Sequence, residues 1–427
     1  MASTCGKRVL SLHTIRLITM RGSYGKLIAI PGAAAFSAAA LLGRLPTGML
    51  CLSVIVPIVK FTGSYTTAGM VVASTMTGMA LCAPLSGRLV DRHGQFLTLL
   101  VSGALNLGSI SVLMACIHYR ENLPLLCIVG GVAGATRLPT GAMARARWTY
   151  LARTFEPGQR SATLQLAYAF ESVVDEIMFI CAPIIATLLC TMIHPLAGLA
   201  GCLISYSVGA VALAMQRRTE PNIETVRVRH PSALKTHGFR ILIFATFFIG
   251  ISAGAVEVIV VARANAAGSQ SLIGLLMASL ALSSMLAGLW YGAQSFRQSA
   301  QSLWIRCLGL LVLALIPFAF AENLSILAIA LFIAGLSIAP TSNAGQILVE
   351  RTLHGRLLNE GMSIVTTSMM LGMAAGGWIS GALIDRLGTH LAGALPATST
   401  VAAFAIACVY ARLIVNASSH VSAKREA

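Results

Sequence analysis

Acid is what this chain lacks most. Fourteen aspartates and glutamates stand among 427 residues, charged residues of both signs reach only 10%, and aromatics 6%. A water-soluble domain carries about 25% charged residues, so a soluble core of this size is excluded. The ten cysteines are scattered, with no C-x-x-C pair and no metal-ligand spacing, which excludes a disulfide scaffold and a structural metal site. No phosphate-cradling G-x-x-x-x-G-K-[ST] loop occurs, so nothing in the chain points to work driven by a bound nucleotide. His118 and His194 stand near the ends of apolar runs without a nucleophile or metal ligand beside them, and no enzyme site is legible. A cleaved signal peptide is not expected, because no short apolar core with a small-residue cleavage site precedes the first long apolar run.

What is present is hydrophobic length. Apolar residues make up 56% of the chain, and Leu97–Ile117 runs without a charge. About 20 such residues cross ~30 Å of hydrocarbon. Twelve windows of this kind fall at 33–59, 66–86, 96–117, 124–144, 162–189 and 193–215, then at 239–262, 271–292, 303–320, 324–348, 361–384 and 391–415. The expectation is an all-α polytopic membrane protein. A tail (1–32) precedes a six-helix bundle (33–215), a polar basic linker (216–238), a second six-helix bundle (239–415) and a closing tail (416–427).

The net charge of +16 belongs to the segments between the spans. With the N-terminus in the cytoplasm, only Lys60, Arg120, Arg263 and Arg386 fall outside, and Arg44 and Arg137 lie within the membrane. The other 24 of the 30 basic residues then face the cytoplasm. That asymmetry sets both termini inside and accounts for the basic charge without nucleic acid as a partner.

The pentapeptide R-L-P-T-G occurs twice, at Arg44–Gly48 and Arg137–Gly141. An arginine at the centre of an apolar span costs about 2.5–3.5 kcal/mol on insertion scales, so a chain that holds two in matched sequence uses them or lets them snorkel to the interface. The fifth span carries Glu171, Asp175 and Glu176. Glu171 and Asp175 are four apart and share a helix face. Two close carboxylates in a low dielectric resist being ionised together, which suits either a mobile proton-coupling network or a fixed pairing with the arginines. Glu257 is the one acid deep in the seventh span.

The loop after the second span reads G-R-L-V-D-R-H-G, Gly87 to Gly94, with Asp91 and Arg92 inside it. This resembles the cytoplasmic signature G-x-x-x-D-R-x-G of the major facilitator superfamily, at the place where that family carries it, and the six-plus-six layout extends the resemblance over the whole chain. In the family this cluster holds the cytoplasmic side closed and breaks when the carrier turns inward. The family usually has basic residues after the last glycine; here Gln95 and Phe96 stand there, which implies a weaker latch. A second copy, G-A-L-I-D-R-L-G, spans Gly381, Asp385, Arg386 and Gly388 on the outer side, and is either an outer latch or a plain turn. Arg137 with Gly141 is similar to the family's fourth-helix R-x-x-x-G, linked there to proton coupling. Ala182-Pro183 is similar to the core of its antiporter motif.

The resemblance implies a twelve-helix fold of pseudo-symmetric three-helix repeats and a secondary transporter working by alternating access. It implies no bound cofactor and no metal, with a proton gradient as the driving force. Arg137, Glu171 and Asp175 are expected to carry coupling, with Arg44 and Glu257 as further contacts in the cavity. The expected partners are a small-molecule substrate and membrane lipid, the chain is expected to be a monomer, and the expected site is a bacterial inner membrane. Export is expected; uptake of an organic anion or metabolite, or a sensor without transport, remain the other readings.

Overall fold

The computed structural model describes residues 25, 27–221, 237–293, 300–321, 323–353 and 357–409. The expected tails, residues 222–236 of the linker and the end of the last span fall outside the described residues, apart from a few positions ahead of Ala33. Everything described is helix or short connection: α1 (Ala33–Thr62), α2 (Tyr65–His118), α3 (Leu123–Ala135), α4 (Thr140–Ala152), α5 (Pro157–Leu188), α6 (Ala197–Met215), α7 (His237–Ala266), α8 (Ile273–Ala293), α9 (Ala300–Ala319), α10 (Leu324–Thr352) and α11 (Leu357–Ala392), then α12 (Leu395–Val409). No strand occurs among the described residues. The chain is a multi-pass membrane protein.

Helix α2 holds 54 residues, about 80 Å at 1.5 Å per residue and more than twice the hydrocarbon thickness. It therefore makes two crossings, and the reversal lies at Gly94, whose φ of 78° and ψ of 168° break the helix. Helix α11 breaks in the same way at Gly388, with φ 82° and ψ 173°. A side chain at either position would be strained. Residues after Gly388 continue into α12, and α3 with α4 forms one interrupted crossing. Among the described residues ten helices are long and apolar enough to cross a membrane; with α2 counted as two crossings and the shorter α12 as the described part of the last, the layout fits the expected six before the linker and six after.

Two ends of the molecule are distinguished below. The linker end holds Gly32, packed against the Thr219 methyl, and the start of α7. The far end holds the Gly63–Ser64 turn between α1 and α2. One large apolar core takes in Val54, Ile55 and Ile58 of α1 together with Ile259, Val260 and Val261 of α7, so the two halves share buried surface toward the far end. Separate cores serve each half nearer the linker: Phe36, Leu99 and Trp148 in one, Phe239, Trp304 and Leu348 in the other.

Close backbone approach fixes the far-end seam. A Cβ on Gly69 of α2 would collide with the Gly377 carbonyl of α11, and one on Gly381 with the Tyr65 backbone. Gly377 and Gly381 are four apart, the small-x-x-x-small spacing that lets membrane helices touch. Gly274 of α8 meets Pro183 and Ile184 of α5 in the same manner. At the linker end, a Cβ on Gly87 would meet nothing within 4 Å.

Candidate functional site

The two R-L-P-T-G copies lie against each other and take different conformations. In α1 the copy is helical, with Pro46 inside the helix. In the fourth crossing the helix stops at Ala135 and restarts at Thr140. Freed backbone groups in a membrane cost several kcal/mol each unless satisfied, and here polar side chains satisfy them. Asn106 Nδ2 donates to the Ala133 carbonyl at 2.9 Å and to Thr136 Oγ1 at 3.1 Å. Ser102 Oγ donates to the Thr136 carbonyl at 2.6 Å. The Leu138 N–H donates to the Tyr206 hydroxyl at 2.7 Å, and that hydroxyl bonds Ser102 Oγ at 2.6 Å. Around the first copy the neighbours of Gly48 are Met178 and Ala182, which offer the backbone little, and the helix continues.

The copies interlock reciprocally. Arg137 of the second donates from Nη2 to Thr47 Oγ1 of the first at 2.9 Å. Arg44 of the first runs over Gly141 of the second, where a Cβ would come 3.0 Å from its Nε. Thr140 Oγ1 reaches the Ala40 carbonyl at 3.3 Å.

Arg44, 4% exposed, pairs with fully buried Glu171 through Nη2 and with Asp175 through Nη1 at 2.7 Å. Glu171 Oε1 also accepts from Ser37 Oγ at 3.0 Å and from Trp148 Nε1 at 2.8 Å. Asp175, 26% exposed, accepts from Arg145 Nη2 at 2.6 Å through its other oxygen. A buried pair of this kind is costly to break from one side, about 3–5 kcal/mol when one partner is removed. Glu171 is thus enclosed by donors, whereas Asp175 sits between two arginines with an edge open to its surroundings.

Arg137 stands apart from these carboxylates. Its Nη1 is buried and has no acceptor among the described residues. Glu257 of α7 lies beside the Cys51 thiol of α1, and the same thiol lies in the field of Arg137. Neither Arg137 nor Glu257 forms an ion pair among the described residues. Counted from Thr62, Cys51 is about 16 Å down α1 at helical rise, so this group sits at mid-membrane depth on the boundary between the halves.

The signature copies at the two ends differ in state. At the far end Asp385 caps α2: it accepts from Ser64 Oγ at 2.9 Å, Tyr65 N at 3.0 Å and Thr66 N at 2.8 Å. Tyr65 adds a bond from Asn265 Nδ2 of α7 to its hydroxyl at 2.9 Å. At the linker end Asp91 and Arg92 are exposed and make no hydrogen bond or ion pair among the described residues. Gln95 and Phe96 are tied down. Gln95 Oε1 accepts from Arg147 Nε at 2.8 Å, the Phe96 N–H donates to Glu220 at 2.9 Å, and Arg217 lies over the Phe96 ring at 3.7 Å. Arg147 is wholly buried and spends its remaining donors on Leu213 O, Gln216 O and Thr219 Oγ1, so it caps the end of α6.

The structure therefore brings Arg44, Glu171 and Asp175 together, sets Arg137 and Glu257 about Cys51, and separates the two latch motifs by the thickness of the molecule. Sequence reasoning missed Ser37, Arg145, Trp148 and Thr47. The signals were present: Ser37 and Arg44 are seven apart, two helical turns on one face, and Arg145 and Trp148 are three apart. Glu176 is half-buried and forms no ion pair among the described residues. The nine described cysteines are free thiols.

Solved structures similar to this chain include transporters. The chain superposes on a mutant of the nucleoside transporter NupG with a TM-score of 0.70 at 12% identity, covering 89% of this chain and 99% of that one. A bacterial homologue of the iron transporter ferroportin in an inward-facing state gives 0.64 at 18% identity over 88% and 98%. The D-xylose–proton symporter gives 0.63 at 12% identity over 87% and 96%. No curated protein sequence matches significantly. The family model described as Major Facilitator Superfamily matches residues 36–240 and 242–427. With that match over nearly its whole length, this chain belongs to the major facilitator superfamily and is a membrane transporter, not an enzyme.

Proposed function

We propose that the chain is a proton-coupled secondary transporter that exports a small organic solute by alternating access. The observation that carries the reading is the Arg44–Glu171–Asp175–Arg145 network. A proton reaching Asp175 from its open edge removes the charge that holds Arg44 and Arg145. Arg44 then rests on Glu171 alone and Arg145 loses its partner, so α1 and α4 are released from Asp175 while Ser37, Arg44 and Trp148 still hold Glu171. Solute occupies the mid-membrane group formed by Arg137, Thr47, Cys51 and Glu257. Export follows from the Ala182-Pro183 resemblance in α5, and the inner membrane of a bacterium is the setting.

In this reading the linker end faces the cytoplasm, supported by the basic count. The closed far-end seam and the unengaged Asp91 then correspond to an inward-facing carrier. Asp385 is the outer latch and Gly87, Asp91, Arg92 and Gly94 form the inner one, each fastened in the opposite state. The proton gradient supplies the energy and no cofactor is involved.

Proteoliposomes holding a pH-sensitive dye test this directly. Solute from a library, applied under a pH gradient, drives proton movement in the wild type. Glu171→Gln and Asp175→Asn abolish it while leaving the protein in the membrane. Wild-type flux from both Arg137→Ala and Glu171→Gln defeats the assignment of coupling and cargo sites.

A further inference from the structure

The mid-membrane group holds one half-buried charge of each sign, contributed by opposite halves and not joined to each other. Arg137 comes from the first half and offers a buried Nη1 with no acceptor among the described residues. Glu257 comes from the second half, beside the Cys51 thiol, and has no cationic partner among the described residues. Both act on Cys51, so the two charges flank one position on α1. Thr47, one turn from Cys51, already anchors the guanidinium through its second nitrogen, which fixes the direction in which Nη1 points. The other arginines of this region have partners: Arg44 and Arg145 carboxylates, with Arg44 Nε alone left over, and Arg147 carbonyls and Gln95. The unpaired cation and the unpaired carboxylate lie on either side of Cys51 at the boundary.

From this geometry we infer that the cargo is a zwitterion: a small solute whose carboxylate bonds Arg137 and whose ammonium bonds Glu257. This rests on the transporter reading above and narrows its substrate. A mono-anion leaves the half-buried Glu257 uncompensated, and a mono-cation leaves Arg137 so. Buried charges demand partners, and a hydrogen bond to a charged group separates ligands by about 10- to 100-fold. A zwitterion bound to both residues also links the two halves, so its presence is felt by the interface that must rearrange.

The experiment uses the purified full chain and a homologous series of probes. Glycine, β-alanine, 4-aminobutyrate and 6-aminohexanoate carry both charges at increasing separation, and L-leucine adds an apolar side chain. Butyrate, hexanoate, butylamine and hexylamine carry one charge each. Thermal stabilisation and counterflow are read for the wild type, Arg137→Gln and Glu257→Gln. One or more zwitterions bind the wild type about tenfold more tightly than their single-charge counterparts. Glu257→Gln reverses the preference toward the carboxylate, and Arg137→Gln reverses it toward the amine. A merely structural role for either residue weakens all probes together and does not reverse their order. The inference is overturned if no zwitterion stabilises the wild type, if a carboxylate alone does as well, or if both variants keep the wild-type order. The transport reading fails separately, on the dye assay with the solute library, which makes no use of probe charge.

Discussion

Replacing Asp385 by asparagine tests how the far end is held shut. The carboxylate accepts two backbone N–H groups and one hydroxyl at the first turn of α2. A helix N-cap of this kind contributes about 0.5–2 kcal/mol, and an anion at a helix N-terminus about 0.3–1 kcal/mol on an exposed surface. Asp385 is exposed, so the lower part of each range applies, and asparagine keeps some of the capping. A net loss of about 0.5 kcal/mol shifts the ratio of closed to open far ends about twofold. Spin labels at Tyr119 and Phe320, each 75% exposed and each following a helix that ends at the far side, report that gap by double electron–electron resonance in a cysteine-depleted background. Asp385→Asn lengthens the distance distribution, and Ser64→Ala does so less. An unchanged distribution in Asp385→Asn refutes the capping argument, because the cost of opening then resides in the glycine seam alone.

Gly69→Leu places a side chain where the Gly377 carbonyl now lies, so the same labels report a far end that no longer closes, and transport stops with the protein still inserted. Arg147→Ala strands Gln95 and the Leu213 and Gln216 carbonyls. The melting temperature falls by an amount equivalent to about 3 kcal/mol or more, and Arg147→Lys recovers only part of it because an ammonium lacks the planar fork. Tyr206→Phe removes the acceptor of the Leu138 N–H and the partner of Ser102. It costs about 1–3 kcal/mol in thermal stability and loosens the restart of the fourth crossing, seen as faster amide exchange at Leu138.

Hydropathy made the twelve crossings legible, because a bilayer imposes length and apolarity on each span separately. The reversals at Gly94 and Gly388 were legible through their matching motifs. The break at Thr136–Pro139 was not. The same five residues are helical in α1, and the difference arises from Ser102, Asn106 and Tyr206, which come from other parts of the chain. That break also redirects Arg137, and so decides which arginine meets Glu171 and Asp175. Sequence spacing placed both carboxylates on one face; it carried no information on which of two identical pentapeptides would supply the counter-charge. The departure at Gln95 and Phe96 reads as a missing charge in the sequence, yet both residues are anchored, through Arg147 and Arg217, to the end of α6 and the start of the linker.

The hinge glycines carry one more consequence. Gly94 and Gly388 adopt almost the same dihedral angles within near-copies of one octapeptide that the chain uses in inverted orientation. A carrier built this way keeps its resting posture by a contest between two versions of a single cassette, so small divergences between them act as a bias. Exchanging the octapeptides, Gly87–Gly94 for Gly381–Gly388, moves that bias from one side of the bilayer to the other without touching the proposed cargo site.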